Sequence, residues 1–222
     1  MARPRVYDPE LILDAAERLV ARSGADGITI RGLAAAAGVS NGAIYHSFGS
    51  LPVLLGRVWL RAADDFLDLQ TAMVQEALET PESSAGAAVD AVVAAADAPA
   101  AFALRRPAAA RMLMSVHRDQ LLGPDLPEQL AADLLALDRR LLDLLSRLAR
   151  GLWGRADAAA VAVITLCVVD LPTAAFRRPL TAPVTDQAAT SLTPIDADTR
   201  RRLEAAVRAV VTIPPPDRTE KD

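Results

Sequence analysis

The feature that most constrains this chain is a stretch of about twenty residues near the N-terminus, Thr29 to Phe48, in which one glycine separates two short helical segments. Thr29 is placed to cap a helix over Ile30 to Ala37, Gly38 ends it, and Ser40 caps a second helix from Asn41 to about Ser47. Upstream, Asp8 can cap a helix with Pro9 just inside it. The apolar pairs Leu11/Ile12, Ala15/Ala16 and Leu19/Val20 recur there every four residues, until Gly24 to Gly27 stop the pattern. Ser50 and Pro52 open a fourth helix immediately after Gly49. Three helices and the start of a fourth therefore lie within some fifty residues, and no strand-like alternation interrupts them.

A glycine-cornered pair of short helices is the geometry of a helix-turn-helix, in which the N-terminal residues of the second helix meet base edges. Asn41, Gly42 and Ala43 are small enough to let the backbone of that helix approach DNA, and Tyr45 and His46 can then reach phosphates or bases. Charge distribution agrees better than total charge does. The chain carries a net −4, which works against phosphate binding, but residues 1–61 hold seven arginines against five acids, a local +2 that leaves −6 for the remainder.

Over Leu11 to about Leu60 the sequence resembles the TetR family of regulators, most specifically in the run from Ile28 through Arg31, Gly38, Ser40 and Tyr45 to Phe48. The resemblance implies an all-α fold: an N-terminal three-helix helix-turn-helix domain followed by a larger C-terminal helical domain for effector binding and dimerisation. It implies DNA contacts from Thr29, Arg31, Ser40, Asn41, Gly42, Ala43, Tyr45 and His46. A small core of Ile30, Leu33, Ala34, Val39, Ile44 and Phe48 would lie beneath them. Family members usually have a phosphate-contacting lysine one residue after the cap of the fourth helix, where this chain has Leu51, so anchoring is expected to fall on Arg31, Tyr45 and an N-terminal arm with Arg3 and Arg5. The implied partners are double-stranded DNA bearing a palindromic operator, a second copy of the chain, and a small-molecule effector. The alternative class is a helical ligand-binding or interaction protein that keeps this architecture and has lost DNA recognition.

Beyond the reader, 52% hydrophobic residues with only 4% aromatics mean a core built from Ala, Leu and Val, residues compatible with helices. The fourth helix carries Leu55, Trp59, Ala62, Phe66, Leu69 and Met73 on one face and is expected to end near Thr80-Pro81. Helices follow over about 84–97, 101–105, 107–121, 127–152 and 156–177, the fourth of these with a leucine stripe from Leu130 to Leu152. A Pro, Thr and Ser-rich loop from Pro179 to Pro194 and a last helix from about Asp196 to Ile213 complete the pattern. The domains are thus 1–50 for the reader, 51–213 for effector binding and dimerisation, and 214–222 for a disordered tail. The apolar bias predicts a hydrophobic effector, with Trp59, Phe66, Phe102, Met114, His117, Trp153 and Phe176 as candidate contacts.

Several function classes lack support. Two histidines and the single Cys167 show no metal-ligand spacing, there is no phosphate-binding glycine loop or nucleophile elbow, and no cofactor is expected. No catalytic residues are therefore assigned. A lone cysteine and the lack of a signal-peptide pattern point to the cytoplasm. The most apolar run, Ala158 to Val169, is flanked by aspartates and is about half the ~20 residues that span a bilayer, so it reads as a buried helix and no membrane partner is expected.

Overall fold

The computed structural model describes residues 8–24, 27–79, 84–115, 127–181 and 195–216, and every regular element among them is helical. In chain order these are α1 (Pro9–Ser23), α2 (Ile30–Ala37), α3 (Asn41–Phe48), α4 (Leu51–Glu79), α5 (Ser84–Arg105), α6 (Pro107–Ser115), α7 (Glu128–Trp153), α8 (Ala158–Thr165), a π-helical turn (Leu166–Asp170), α9 (Leu171–Thr181) and α10 (Ala197–Val211). The chain divides into two compact units: residues 1–63 with 106–135, and residues 64–105 with 136–222.

In the first unit, side-chain caps fix where the helices begin. Asp8 accepts from the Glu10 amide, Thr29 from Gly32 and Ser40 from Ala43, and the Ser50 hydroxyl accepts from Val53 at the start of α4. Gly38 closes α2 in the left-handed region at φ 67°, a conformation that a side chain would strain. α1 packs against α2 and α6, and α2 against α3. Ile12, Ala16 and Val20 of α1, Leu33 of α2, Ile44 of α3, Leu54 and Val58 of α4 and Met112 of α6 are almost wholly removed from solvent. Ile30 and Val39 are only half-buried, and Ile28 takes an interior place instead. Glu17 is buried beneath this surface, its carboxylate accepting from Arg61 at 3.1 Å and from Arg106 at 2.8 Å, while Arg61 also pairs with Glu10 and Asp14.

In the second unit, α5 packs against α9, α10 and the π turn, and α9 packs against α10. Its interior is small-residue and aliphatic: Ala91, Val92 and Ala95 of α5, Leu144 and Leu148 of α7, Ile164 of α8, Cys167 of the turn, Phe176 of α9 and Val207 of α10. α5 runs unbroken through residues 98–100, where a gap between two helices was expected. Pro99 is accommodated inside it, buried in an alanine-rich surround. Pro179, expected in a loop, lies within α9. The π turn directly precedes Pro172, which has no N–H to offer the Val168 carbonyl. The Leu171 amide here bonds back five residues to Leu166.

The buried arc of α4 is centred differently from the expected stripe. Leu54, Val58, Leu67, Gln70 and Val74 join Leu55, Ala62 and Leu69 of that stripe in its interior, whereas Trp59, Phe66 and Met73 lie half-buried on its flank. The last helix stops at Val211, yet ordered packing continues: Pro215 is buried, and the Pro216 carbonyl accepts from Arg155 at 2.9 Å. The proposed tail is therefore placed through residue 216, and 217–222 lie outside the described residues. Residues 86–105 and 158–181 are each long and apolar enough to cross a membrane by length and composition alone. The first is 61% buried within the protein, as a core helix is, and the second only 33%. The expected burial of 158–169 is thus incomplete within one chain.

Candidate nucleic-acid interface

The caps that begin α2 and α3 also determine what those helices present. With Thr29 and Ser40 occupied as caps, the first turn of each helix is fixed, and Ile44 and Phe48 point to the interior. Helical geometry then turns Asn41, Gly42, Tyr45 and His46 to the opposite side. All four are exposed, as are Thr29, Arg31 and Ser40, while Ala43 is half-buried. Tyr45 is 53% exposed, which rules out a core role for its ring. Arg31, Asn41, Tyr45 and His46 have no side-chain partner among the described residues. Asn41, Tyr45 and His46 give α3 exposed donors and acceptors, and Arg31 adds one fixed positive charge at the start of α2.

A Cβ at Gly42 would meet nothing closer than the Ser40 hydroxyl at 3.8 Å, so no intramolecular packing demands glycine there. Arg57 of α4 lies with its guanidinium 6.0 Å from the centroid of the Phe48 ring, a cation–π contact that braces the end of α3. Leu51 is the first residue of α4, directly after the Ser50 cap, and is half-buried. Arg3 and Arg5 lie outside the described residues.

Of the effector candidates, Phe66, Phe102, Trp153 and Phe176 lie in the second unit and Trp59 and Met114 in the first. Phe66 and Phe102 meet edge to face, their ring centroids 5.5 Å apart and their planes at 70°. Phe176 is fully buried core, Trp153 and Met114 are half-buried, and Trp59 is half-buried with an indole N–H that has no partner among the described residues. His117 lies outside the described residues. A cleft of about 530 Å³ in the second unit is lined by none of the six described candidates, but by Met73, Val93, Ala94 and Ala96 with a rim of paired charges including Asp97 and Arg200.

Sequence reasoning missed Gln70, which is 1% exposed and whose side-chain oxygen has no partner. The only available signal was a lone amide between apolar neighbours on α4. Cys167 is enclosed, and burial pushes its thiol up to about 11, so it stays protonated. Among the described residues no three His, Cys, Asp or Glu side chains gather in a way that could hold a metal ion.

Residues 12–55, which span α1 to the first turn of α4, match the sequence model of the bacterial regulatory proteins of the tetR family. No curated protein matches the chain in sequence. Solved structures share the fold along nearly the whole length. A tetR-family regulatory protein from Rhodococcus RHA1 is 20% identical, with a TM-score of 0.63 over 94% of this chain and 98% of its own. A putative transcriptional regulator from Pseudomonas aeruginosa PAO1 is 18% identical, with a TM-score of 0.61 over 92% and 88%. The TetR-family regulator PfmR from Thermus thermophilus is 19% identical, with a TM-score of 0.56 over 90% and 97%. Residues 12–55 thus match the DNA-binding module of the tetR family, and the chain shares its helical fold with solved regulators of that family.

Proposed function

We propose that the protein is a cytoplasmic homodimeric repressor that reads a palindromic operator through α3 and leaves it when a hydrophobic small molecule binds the C-terminal unit. The observation that carries the reading is the polar face of Arg31, Asn41, Tyr45 and His46, exposed and unpartnered above a fully packed core. Exposed polar groups cost nothing in water, but a cluster on the N-terminal half of a recognition helix is what base and phosphate contacts require. Thr29 and Arg31 at the start of α2 and Ser40 at the start of α3 would hold phosphates, with Asn41, Gly42, Ala43, Tyr45 and His46 in the major groove.

The dimer is supported by residues 158–181, the second apolar stretch, in which only about a third of the residues of its most apolar part are fully buried in a single chain and Leu166 is 40% exposed. A second copy laying the same helices against these would bury that surface in a four-helix arrangement. Two recognition helices would then address half-sites about one DNA turn, ~34 Å, apart. An effector releases such a dimer to the extent that it binds the non-binding arrangement more tightly.

The test is a mobility-shift assay of the full chain with DNA from beside its own gene. Shifted complexes that resist competing unrelated DNA support the proposal. A folded dimer with no sequence preference at low salt would instead support the ligand-binding alternative.

A further inference from the structure

Two faces of α1 treat charge differently. Glu10, Asp14 and Glu17, at i, i+4 and i+7, share one face and all pair with Arg61, with Arg106 as a second partner for Glu17. Arg18 and Arg22, one turn apart, are turned away from the buried Ile12, Ala16 and Val20. Both are exposed, and neither makes a hydrogen bond or ion pair among the described residues. A guanidinium is not deprotonated in proteins, so this face carries two fixed positive charges with no carboxylate to meet them.

The end of α1 lies against the loop that leads into α2. A Cβ on Gly27 would stand 2.9 Å from the Ser23 carbonyl oxygen and 3.1 Å from Ser23 Cβ, so the chain turns back onto the last residue of α1 at a distance that only glycine tolerates. Thr29 follows two residues later, at most about 7 Å further along the chain, and Arg31 stands in the first turn of α2. Arg22, the neighbour of Ser23, therefore starts close to the two residues proposed above to hold phosphates. Arg31 is the only arginine or lysine on α2 and α3, and one guanidinium per reader accounts for a salt slope of only about one.

We infer that Arg22 is a further phosphate contact of the reader, with Arg18 as a flanking charge one turn behind it. Its guanidinium meets the DNA backbone beside the phosphates that Thr29 and Arg31 hold, and it adds affinity without adding sequence preference. The inference rests on the reading of α2 and α3 as the DNA reader and extends the contact surface onto a helix outside the helix-turn-helix. It also gives the inward pairing of Glu10, Asp14 and Glu17 a consequence, since their neutralised charge does not oppose a polyanion at the neighbouring face.

The experiment titrates the full-length protein by fluorescence anisotropy against two duplexes of equal length, DNA from beside its own gene and an unrelated sequence, over a series of salt concentrations. Arg22→Ala is expected to weaken binding to both duplexes by the same factor, about tenfold, and to lower the salt slope by about one. The ratio between the duplexes and the circular dichroism spectrum should not change, because alanine at an exposed helix position favours the helix. Arg22→Lys, which keeps the charge, should restore the slope. Arg147→Ala removes an equally exposed and unpaired arginine from α7 in the second unit, and should leave the slope as it is. A slope unchanged by Arg22→Ala, a loss confined to the own-gene duplex, or an equal loss from Arg147→Ala overturns the assignment. Sequence preference with an unchanged slope removes the α1 contact alone. Equal binding to the two duplexes removes the repressor reading alone, and binding to neither removes both.

Discussion

Three arginines on α1 and α2 and three in the second unit are used in opposite ways. Arg18, Arg22 and Arg31, on α1 and α2, make no ion pair with a described residue, and Arg57 rests on an aromatic ring. In the second unit Arg140 pairs with Asp64 and Asp68, Arg200 grips Asp97 through two nitrogens, and Arg208 bridges Asp90 and Glu204. These three guanidiniums tie helix to helix and use their charge within the fold, as Arg61 and Arg106 do around Glu17 in the first unit. On the reader the charge is left over, as a surface that binds a polyanion needs. The lesson is that arginine count predicts little about partners until each guanidinium has been checked for a carboxylate.

The contrast can be broken by mutation. The largest effect is expected for Arg31→Ala combined with Tyr45→Ala. Each contact is worth about 1–3 kcal/mol if it touches DNA, so the pair should lower operator affinity by about 30-fold or more with thermal stability nearly unchanged. Removing Arg140, by contrast, should leave DNA binding intact and act only on stability, and weakly, because exposed pairs contribute ~1 kcal/mol or less. A titration of both variants by fluorescence anisotropy and thermal melting separates the two uses of arginine.

Next in size is Leu166→Glu, which puts a charge on the uncovered face of residues 158–181. It should weaken self-association by about 2 kcal/mol or more, visible as a monomer by light scattering, with helicity kept. Smaller is Ser40→Ala, which removes the hydroxyl that accepts from Ala43 and so frays the start of α3. About 1 kcal/mol of stability should be lost, together with some operator affinity if the helix start is, as proposed, the edge that reads DNA.

The smallest expected effect concerns acid. Asp157 caps α8, and its hydrogen bond from Arg155, helped by the amides of Ala160 and Ala159, holds its carboxyl well below the usual carboxylate range. A carboxylate with a lowered folded pKa contributes stability that is present above its unfolded value of about 3.9 and lost as pH falls through the folded value. Asp157→Asn should therefore lower the melting temperature at neutral pH and bring it closer to the unmodified protein's below about pH 4.

Legibility in the sequence also divides by region. The reader was legible because short polar side chains and glycines mark helix ends by chemistry: Asp8, Thr29, Gly38, Ser40 and Ser50 all act where their types suggest. The second unit was harder to read. Pro99 and Pro179 look like breaks, yet both sit inside helices, since a buried or flanking surface can hold a helix through one missing N–H. The half-exposed positions of Trp59, Phe66 and Met73 depend on which neighbours cover α4, which its own periodicity does not encode. Gln70 left no pattern because one amide does not disturb an apolar arc.

The central claim is that the leftover charge and polar groups of α2 and α3 engage DNA. Its most direct test is operator affinity of the unmodified protein and of Arg31→Ala as a function of salt. The account predicts a steep fall of log K with log[salt], and a slope smaller by about one in the variant as one phosphate contact disappears. A folded dimer that shows no sequence-specific binding at low salt, or a slope that Arg31→Ala leaves unchanged, would contradict it.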